Sequence, residues 1–238
     1  MITLTELFDH LANGEYSQHY LGGSNTGIIK EENYRRIIPH INLGLTEIYK
    51  RLPIKVKEVT VDLHEHISRY VLHSDYAFTN TTSTKPIKYI SDSKFYPFTN
   101  DVLQIDRVFN EIGEELYVND GNQNYSVYVP EYNVVQHPYP DSNNTIEVTY
   151  KASHFKIPST ISEIDADKLE LEIPDTIIEP LLHYVGGRSQ IGLQAENPSN
   201  QSHLHTSKYE QSLNKIESLN MFKTPQWSNH KLEDKGFI

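Results

Sequence analysis

The chain has 238 residues, enough for one large or two modest domains, but only 37% of them are hydrophobic. With 32 acidic against 21 basic side chains it carries a net charge of −11, which repels phosphate and argues against tight wrapping of nucleic acid. It holds no cysteine, which excludes a disulfide scaffold, a thiolate zinc site and a cysteine nucleophile. Its 16 Tyr and 8 Phe, spread among many Ile and Val, separate it from disordered sequences. A folded chain this poor in apolar residues is expected to complete its burial against copies or partners.

The opening "MITLTELFDHLANG" lacks the basic and apolar regions of a signal peptide, and no apolar run approaches the length of a membrane span. The expectation is a soluble protein made in a reducing cytoplasm. Thr3-x-x-Glu6 has capping-box spacing, Leu4, Leu7, Phe8 and Leu11 recur at helical intervals, and Asn13-Gly14 supplies a stop. Residues 14–27 read as a loop. A second helix is predicted from about Lys30 to Arg51, with Ile37, Ile41, Leu45, Ile48 and Leu52 as its stripe and Pro53 as its end. Pro39, inside that pattern, is expected to kink it or break it near Ile38.

From about Lys55 to Ile157 the period changes to two. "KVKEVTVDL" and "SRYVLHSDYAF" read as strands joined by a turn at His64-Glu65-His66. "VLQIDRVFNEIGEELYVND" reads as a hairpin turning at Gly113, and "NYSVYVP", "YNVVQHPYP" and "TIEVTYKAS" follow. Short strands punctuated by turn signals suggest a small β-sandwich or curled sheet. "SEIDADKLELEI" is an acidic connector.

A third helix follows in "LELEIPDTIIEPLLHYVGGRSQIGL", where Pro174 suits a first turn, Thr176-x-x-Glu179 has capping-box spacing, and Ile178, Leu182, Val185 and Ser189 share a face. Three of the chain's 11 glycines, Gly186, Gly187 and Gly192, fall inside it, each costing about 1 kcal/mol relative to Ala. Gly-Gly is a common helix stop. Yet Arg188, Ile191 and Leu193 continue the pattern to the cleaner break at Asn197-Pro198, which favours an unbroken helix with low relief on two sides. A last helix spans roughly Pro198 to Asn220 on a thin face of Tyr209, Leu213 and Ile216, with His205 one turn before. The remaining segment carries Met221, Phe222, Trp227, Leu232, Phe237 and Ile238, more apolar than a solvated tail, and reads as a docking arm.

The resulting fold class is α+β: a helical bundle from N- and C-terminal segments, an inserted antiparallel β-sandwich-like domain, and an extended C-terminal arm. The boundaries fall at 1–53 and 161–220 for the two parts of the bundle, 54–160 for the β-domain and 221–238 for the arm.

No motif carries catalysis. His64 and His66 could share a face on a strand, but they sit in a turn with no third ligand evident; His203 and His205, two apart on a helix, point about 200° apart. Glu114-Glu115 and Asp165/Asp167 lack any fixed separation, "DADKLELE" lacks EF-hand spacing, and "GGSNTG" neither follows a strand nor carries Lys-Ser/Thr. There is no G-x-S-x-G and no dinucleotide fingerprint. The expectation is no enzyme, no cofactor and no bound metal.

The order of elements resembles the head-to-tail adaptor (connector) proteins of tailed bacteriophages, particularly short-tailed ones. Three stretches carry it: "IIPHINLGLTEIYKRLP", like the family's long second helix with its central Asn; "FTNDVLQIDRVFNEIGEELYVND", like its strand pair; and "LELEIPDTIIEPLLHYVGGRSQIGL" with "HTSKYEQSLNKI", like its closing helices. Pro39 and the Gly-Gly in place of the more usual alanines depart from the pattern. The resemblance implies a structural virion subunit that forms a ring, typically of twelve, under the portal. Such a ring supports the tail tube or nozzle, lines the DNA channel without binding DNA specifically, and reaches the portal with its C-terminal arm, here 221–238. On that reading Gly186, Gly187 and Gly192 serve helix or subunit packing, and Glu163, Asp165, Asp167, Glu170 and Glu172 are candidates to line the channel. The competing readings are another neck component, such as a stopper or tail-completion protein; a carbohydrate-binding β-sandwich with tyrosines as its platform; and a metal-dependent hydrolase on His64/His66.

Overall fold

The computed structural model describes residues 2–15, 29–142, 144–158, 165–193 and 200–222. Helices and antiparallel strands mix in an α+β chain that divides into two units. One comprises Met1–Pro53 with Phe155–Ile238, the other Ile54–His154.

In the helical unit, strand β1 (Ile2–Thr3) leads into helix α1 (Leu4–Asn13). The capping box forms: Thr3 Oγ1 accepts from the Glu6 N–H at 3.2 Å and the Thr3 N–H donates to Glu6 Oε2 at 2.8 Å. Leu4, Leu7, Phe8 and Leu11 are buried, and the Gly14 N–H closes the helix on the His10 carbonyl. Helix α2 (Glu31–Arg51) places acids in its first turn and Lys50 and Arg51 in its last, in the sense its dipole favours. It runs through Pro39 without a break, one of the two outcomes expected there, the other being a kink. Ile37, Ile38, Ile41, Leu45 and Ile48 are all buried, and continuing the helix keeps that stripe covered.

The third predicted helix begins differently from its sequence signals. Pro174 leads a 3₁₀ turn (Asp175–Ile177) without a side-chain cap, so the Thr176–Glu179 capping box is not formed, and helix α3 occupies Ile178–Leu193. It passes through Gly186 and Gly187 without interruption. Ile177 of the 3₁₀ turn and Leu181 and Val185 of the helix are fully buried, while Ile178, Leu182 and Ser189 are only half-buried, so of the expected stripe Val185 alone is fully covered. Helix α4 (Asn200–Ser218) buries Tyr209, Leu213 and Ile216, as its spacing predicts. Helix α3 packs on α4 and on α2, and touches α1. An added Cβ on Gly44 of α2 would stand 2.8 Å from both Leu181 Cδ1 and Tyr184 Cδ1, so glycine permits that close approach.

In the strand unit, β2 (Val56–Asp62), β4 (Ile90–Ser91), β5 (Val102–Phe109) and β8 (Thr145–Ala152) form an antiparallel sheet in the order β4-β2-β8-β5. A second sheet, β3-β7-β6, joins β3 (Arg69–Val71), β7 (Val134–Gln136) and β6 (Tyr128–Glu131). Register sets Val59 opposite Val148 and Val61 opposite Ile146, which puts four buried side chains together on one face. Residues of both sheets, including Tyr70 and Val135 from the smaller one, share one apolar core. Buried tyrosines in it keep their hydroxyls satisfied. Tyr70 Oη accepts from the His64 N–H at 2.8 Å, and Tyr89 Oη accepts from the Val71 N–H at 2.8 Å; burial pushes both phenols above their usual range.

Three strand expectations need correction. "SRYVLHSDYAF" is a strand only over Arg69–Val71, followed by a 3₁₀ turn at Ser74–Tyr76. It pairs with β7 and not with β2, because the alternation that marks a strand does not specify its neighbour. The hairpin at Gly113 turns as expected, with Gly113 at φ +80°, but its return leg is a single bridge between Phe109 and Glu115.

Candidate functional site

The glycines of α3 lead to a cluster of titratable side chains in the helical unit. Gly186 and Gly187 are both buried. A Cβ on Gly186 would lie 2.8 Å from Glu15 Cγ and 2.9 Å from Glu15 Cβ, and one on Gly187 would lie 3.3 Å from His205 Cβ. Within this chain, then, the two glycines admit the end of α1 on one side and α4 on the other. Gly187, on the far side of the expected stripe, is covered by α4. Gly192 also lies in α3, but its surroundings fall outside the described residues.

What the glycines admit is the Glu15 carboxylate and the His205 imidazole, which meet His183 of α3 itself. Glu15 Oε1 is 2.8 Å from His183 Nδ1 and 3.8 Å from His205 Nδ1. The two rings are 5.8 Å apart, centroid to centroid, and tilted by 46°. All three side chains are largely shielded from solvent (13–14% exposed). Glu179, one turn before His183, brings a carboxylate oxygen within 3.9 Å of the outer nitrogen, Nε2. One ligand atom from each of Glu15, His183 and His205 lies within 4.8 Å of the others, and among the described residues this is the group that can hold a metal ion.

A second polar junction lies on the same unit. Arg51, at the end of α2, donates Nε and Nη2 to the two oxygens of Glu217 (2.7 and 2.9 Å), Nη1 to Glu210 (2.7 Å), and Nη2 also to Asn214 (2.6 Å). The fork holds the Glu217 carboxyl below its usual range. Beside it, Glu47, Arg51, Tyr184, Arg188 and Tyr209 border a shallow recess of about 460 Å³. The Arg188 guanidinium sits 5.5 Å from the Tyr184 ring centre, and Tyr184 meets Tyr209 edge-on at 5.3 Å. Lys50 and Glu210 complete its lining.

The other sequence candidates disperse. His64 is half-buried in a bridge with Ile67 and His66 is exposed, and they join no metal-capable group among the described residues. Asp165, Asp167, Glu170 and Glu172 are exposed, but two are committed locally: Asp165 pairs with Lys168 at 2.6 Å and Asp167 accepts from Thr5 Oγ1 at 2.6 Å. Glu170 lies in β9 (Glu170–Leu171), opposite Thr3 of β1. Glu163 lies outside the described residues. Of the docking arm, Met221 is exposed and Phe222 half-buried just past α4; Trp227, Leu232, Phe237 and Ile238 lie outside the described residues.

Sequence reasoning missed the Glu15–His183–His205 group. It weighed histidines two apart, whereas these three residues come from positions separated by more than the length of an element. Their one signal was indirect: an unexplained glycine three residues after His183.

Fold and site define a mixed α+β chain in which a helical unit encloses a shielded carboxylate–imidazole cluster. No protein-family model matches the chain, and no curated protein matches it in sequence. No helix among the described residues is long and apolar enough to cross a membrane.

Proposed function

We propose that this chain is a structural head-to-tail adaptor of a tailed-bacteriophage virion. In this reading it forms a ring under the portal, of twelve copies as in the family it resembles. The ring joins the capsid to the tail tube or nozzle and lines the DNA channel, and it turns over no substrate. The fold then amounts to a helical bundle closed by distant segments, with a sandwich-like strand unit inserted between α2 and α3 and an arm that docks on the portal.

The observation that carries the proposal is the order of elements. Two helices are followed by a strand-built unit and then by two helices that return to the first pair, α3 packing on both α1 and α2. At the return, Asn42, in the middle of α2, clamps the chain by a reciprocal pair of hydrogen bonds: Nδ2 donates to the Ile157 carbonyl at 2.9 Å and Oδ1 accepts from its N–H at 3.0 Å. That is the same central Asn on which the resemblance rests.

Surface character supports assembly. Phe95 and Tyr96 are 91% and 85% exposed on a loop that is nonetheless held in shape. Its anchor is Asp92, which accepts from the N–H groups of Thr79 (2.9 Å) and Phe98 (3.0 Å). An ordered loop presenting two bare aromatic rings fits a face that a neighbour covers. The net charge of −11 suits a wall past which a duplex slides without sticking.

The deciding experiment is imaging of the vertex that joins capsid and tail in intact particles, with antibody or tag labelling of this chain. A ring of labelled subunits against the portal is expected, and particles whose vertex lacks the chain would end the proposal. A ring that forms on portal alone, before any nozzle, separates adaptor from stopper or tail-completion protein. Deleting residues 221–238 should leave a folded chain that no longer attaches to filled capsids.

The competing carbohydrate reading would draw on exposed tyrosines, and Tyr125 and Tyr139 are both well exposed and meet edge to face at 6.3 Å in the strand unit. Rings at 64° do not form the flat platform on which a sugar stacks, and a glycan array without binding would dispose of carbohydrate recognition.

A further inference from the structure

We propose that Glu15, His183 and His205 form a binding site for one divalent transition-metal ion of the zinc class, which pins the end of α1 to α3 and α4. The proposal stands independently of the adaptor reading, since it concerns the folding of the single chain.

Geometry is the first argument. Zinc holds His nitrogen and carboxylate oxygen at about 2.0–2.2 Å in a tetrahedral arrangement, which sets neighbouring ligand atoms about 3.4 Å apart. The observed separations from Glu15 Oε1, 2.8 Å to His183 Nδ1 and 3.8 Å to His205 Nδ1, straddle that value. Side-chain rotations of a few tenths of an ångström bring both to it. An ion drawing both imidazoles onto the same carboxylate is consistent with both separations.

Donor chemistry is the second argument. Two imidazoles and one carboxylate form a borderline nitrogen–oxygen set, suited to zinc and unlike the all-oxygen shells of calcium or magnesium. Three protein ligands leave a fourth position for water. If His183 binds through Nδ1, its Nε2 stays on the side of Glu179, whose carboxylate lies 3.9 Å away, beyond direct hydrogen-bond reach.

Enclosure is the third. At 13–14% exposure the three side chains are sheltered from competing water yet still reachable by an ion. The room for Glu15 exists because residue 186 has no Cβ, which would lie 2.8 Å from Glu15 Cγ and 3.5 Å from His205 Nδ1. A metal bridging residues 15, 183 and 205 closes long loops of chain, in which such a clip constrains the unfolded state most.

The test uses the full chain without an affinity tag, stripped by chelator and titrated with Zn²⁺ and with Co²⁺. One equivalent of Zn²⁺ should bind and raise the melting temperature. Co²⁺ should give the intense visible absorption of a four-coordinate nitrogen–oxygen site. Glu15→Gln and His183→Ala should each weaken Zn²⁺ binding at least about a hundredfold, beyond the 10–100-fold usual for losing a supporting outer residue. The double variant His64→Ala/His66→Ala should bind as the parent does. Should the Glu15 or His183 variants fail to fold, the wild-type Co²⁺ spectrum decides alone. Absence of four-coordinate absorption, binding that survives loss of Glu15 and His183, or no stoichiometric binding at micromolar Zn²⁺ would each overturn the proposal.

Discussion

Adjacent glycines on one helix allow packing to be read free of helix propensity. Gly186→Ala and Gly187→Ala each gain about 1 kcal/mol of helix propensity, so that contribution cancels between them. What remains is what the new methyl meets. At Gly187 it lies 3.3 Å from His205 Cβ, 3.7 Å from the Ser202 carbonyl oxygen and 3.8 Å from Thr206 Oγ1, contacts that α4 can accommodate by small shifts. At Gly186 it lies 2.8 and 2.9 Å from Glu15 Cγ and Cβ, atoms too close to the backbone to rotate away, so the end of α1 must move. Overpacking of that kind costs about 1–3 kcal/mol. Gly187→Ala should therefore fall between neutral and about 1 kcal/mol more stable than the parent, and Gly186→Ala between neutral and about 2 kcal/mol less stable. At about 2–4 °C per kcal/mol for a chain of this size, their midpoints should separate by several degrees in calorimetry. The helical unit is to be followed separately by amide exchange, since two units need not unfold together. A Gly186→Ala variant more stable than Gly187→Ala would refute the placement of Glu15 against α3.

At the chain's return to the helical unit, Asn42→Ala leaves the buried Ile157 N–H and carbonyl without their partner and should cost about 2 kcal/mol by urea denaturation, whereas Asn42→Asp should restore part of it. Arg51→Ala frees α4 from the end of α2; because the fork is partly exposed, about 1 kcal/mol is expected, shrinking in high salt, with faster amide exchange in α4 as the readout. Burial holds His40 and His137 below the ordinary imidazole value of 6.5, with Arg188 adding to the effect at His40. The unfolded chain then binds more protons than the folded one, so stability is complete above about pH 6.5 and declines as pH falls below it. His137→Asn should flatten that decline in a pH series of melting temperatures, and an unchanged slope would contradict its burial.

Much of this molecule is written in neighbouring residues. The Thr3–Glu6 cap, the Ile37–Ile48 stripe, the Tyr209–Ile216 face and the alternation of β2 and β8 depend on side chains within a turn or a pleat of one another, so their periods show in the sequence before any fold exists. The pattern failed where local signals competed. Thr176 and Glu179 had the spacing of a cap but sit across a 3₁₀ turn, and Pro39 stayed within a helix whose buried stripe outweighed one missing hydrogen bond.

What the tertiary structure alone decided involves partners far apart along the chain. The β1–β9 pair joins Ile2 to Leu171, and Glu15 meets His183 across 168 positions. No period links such residues, because their approach is set by how α3 lies between α2 and α4. The composition could announce that Gly186 and Gly187 were unusual in a helix. Only packing could say what the missing side chains made room for.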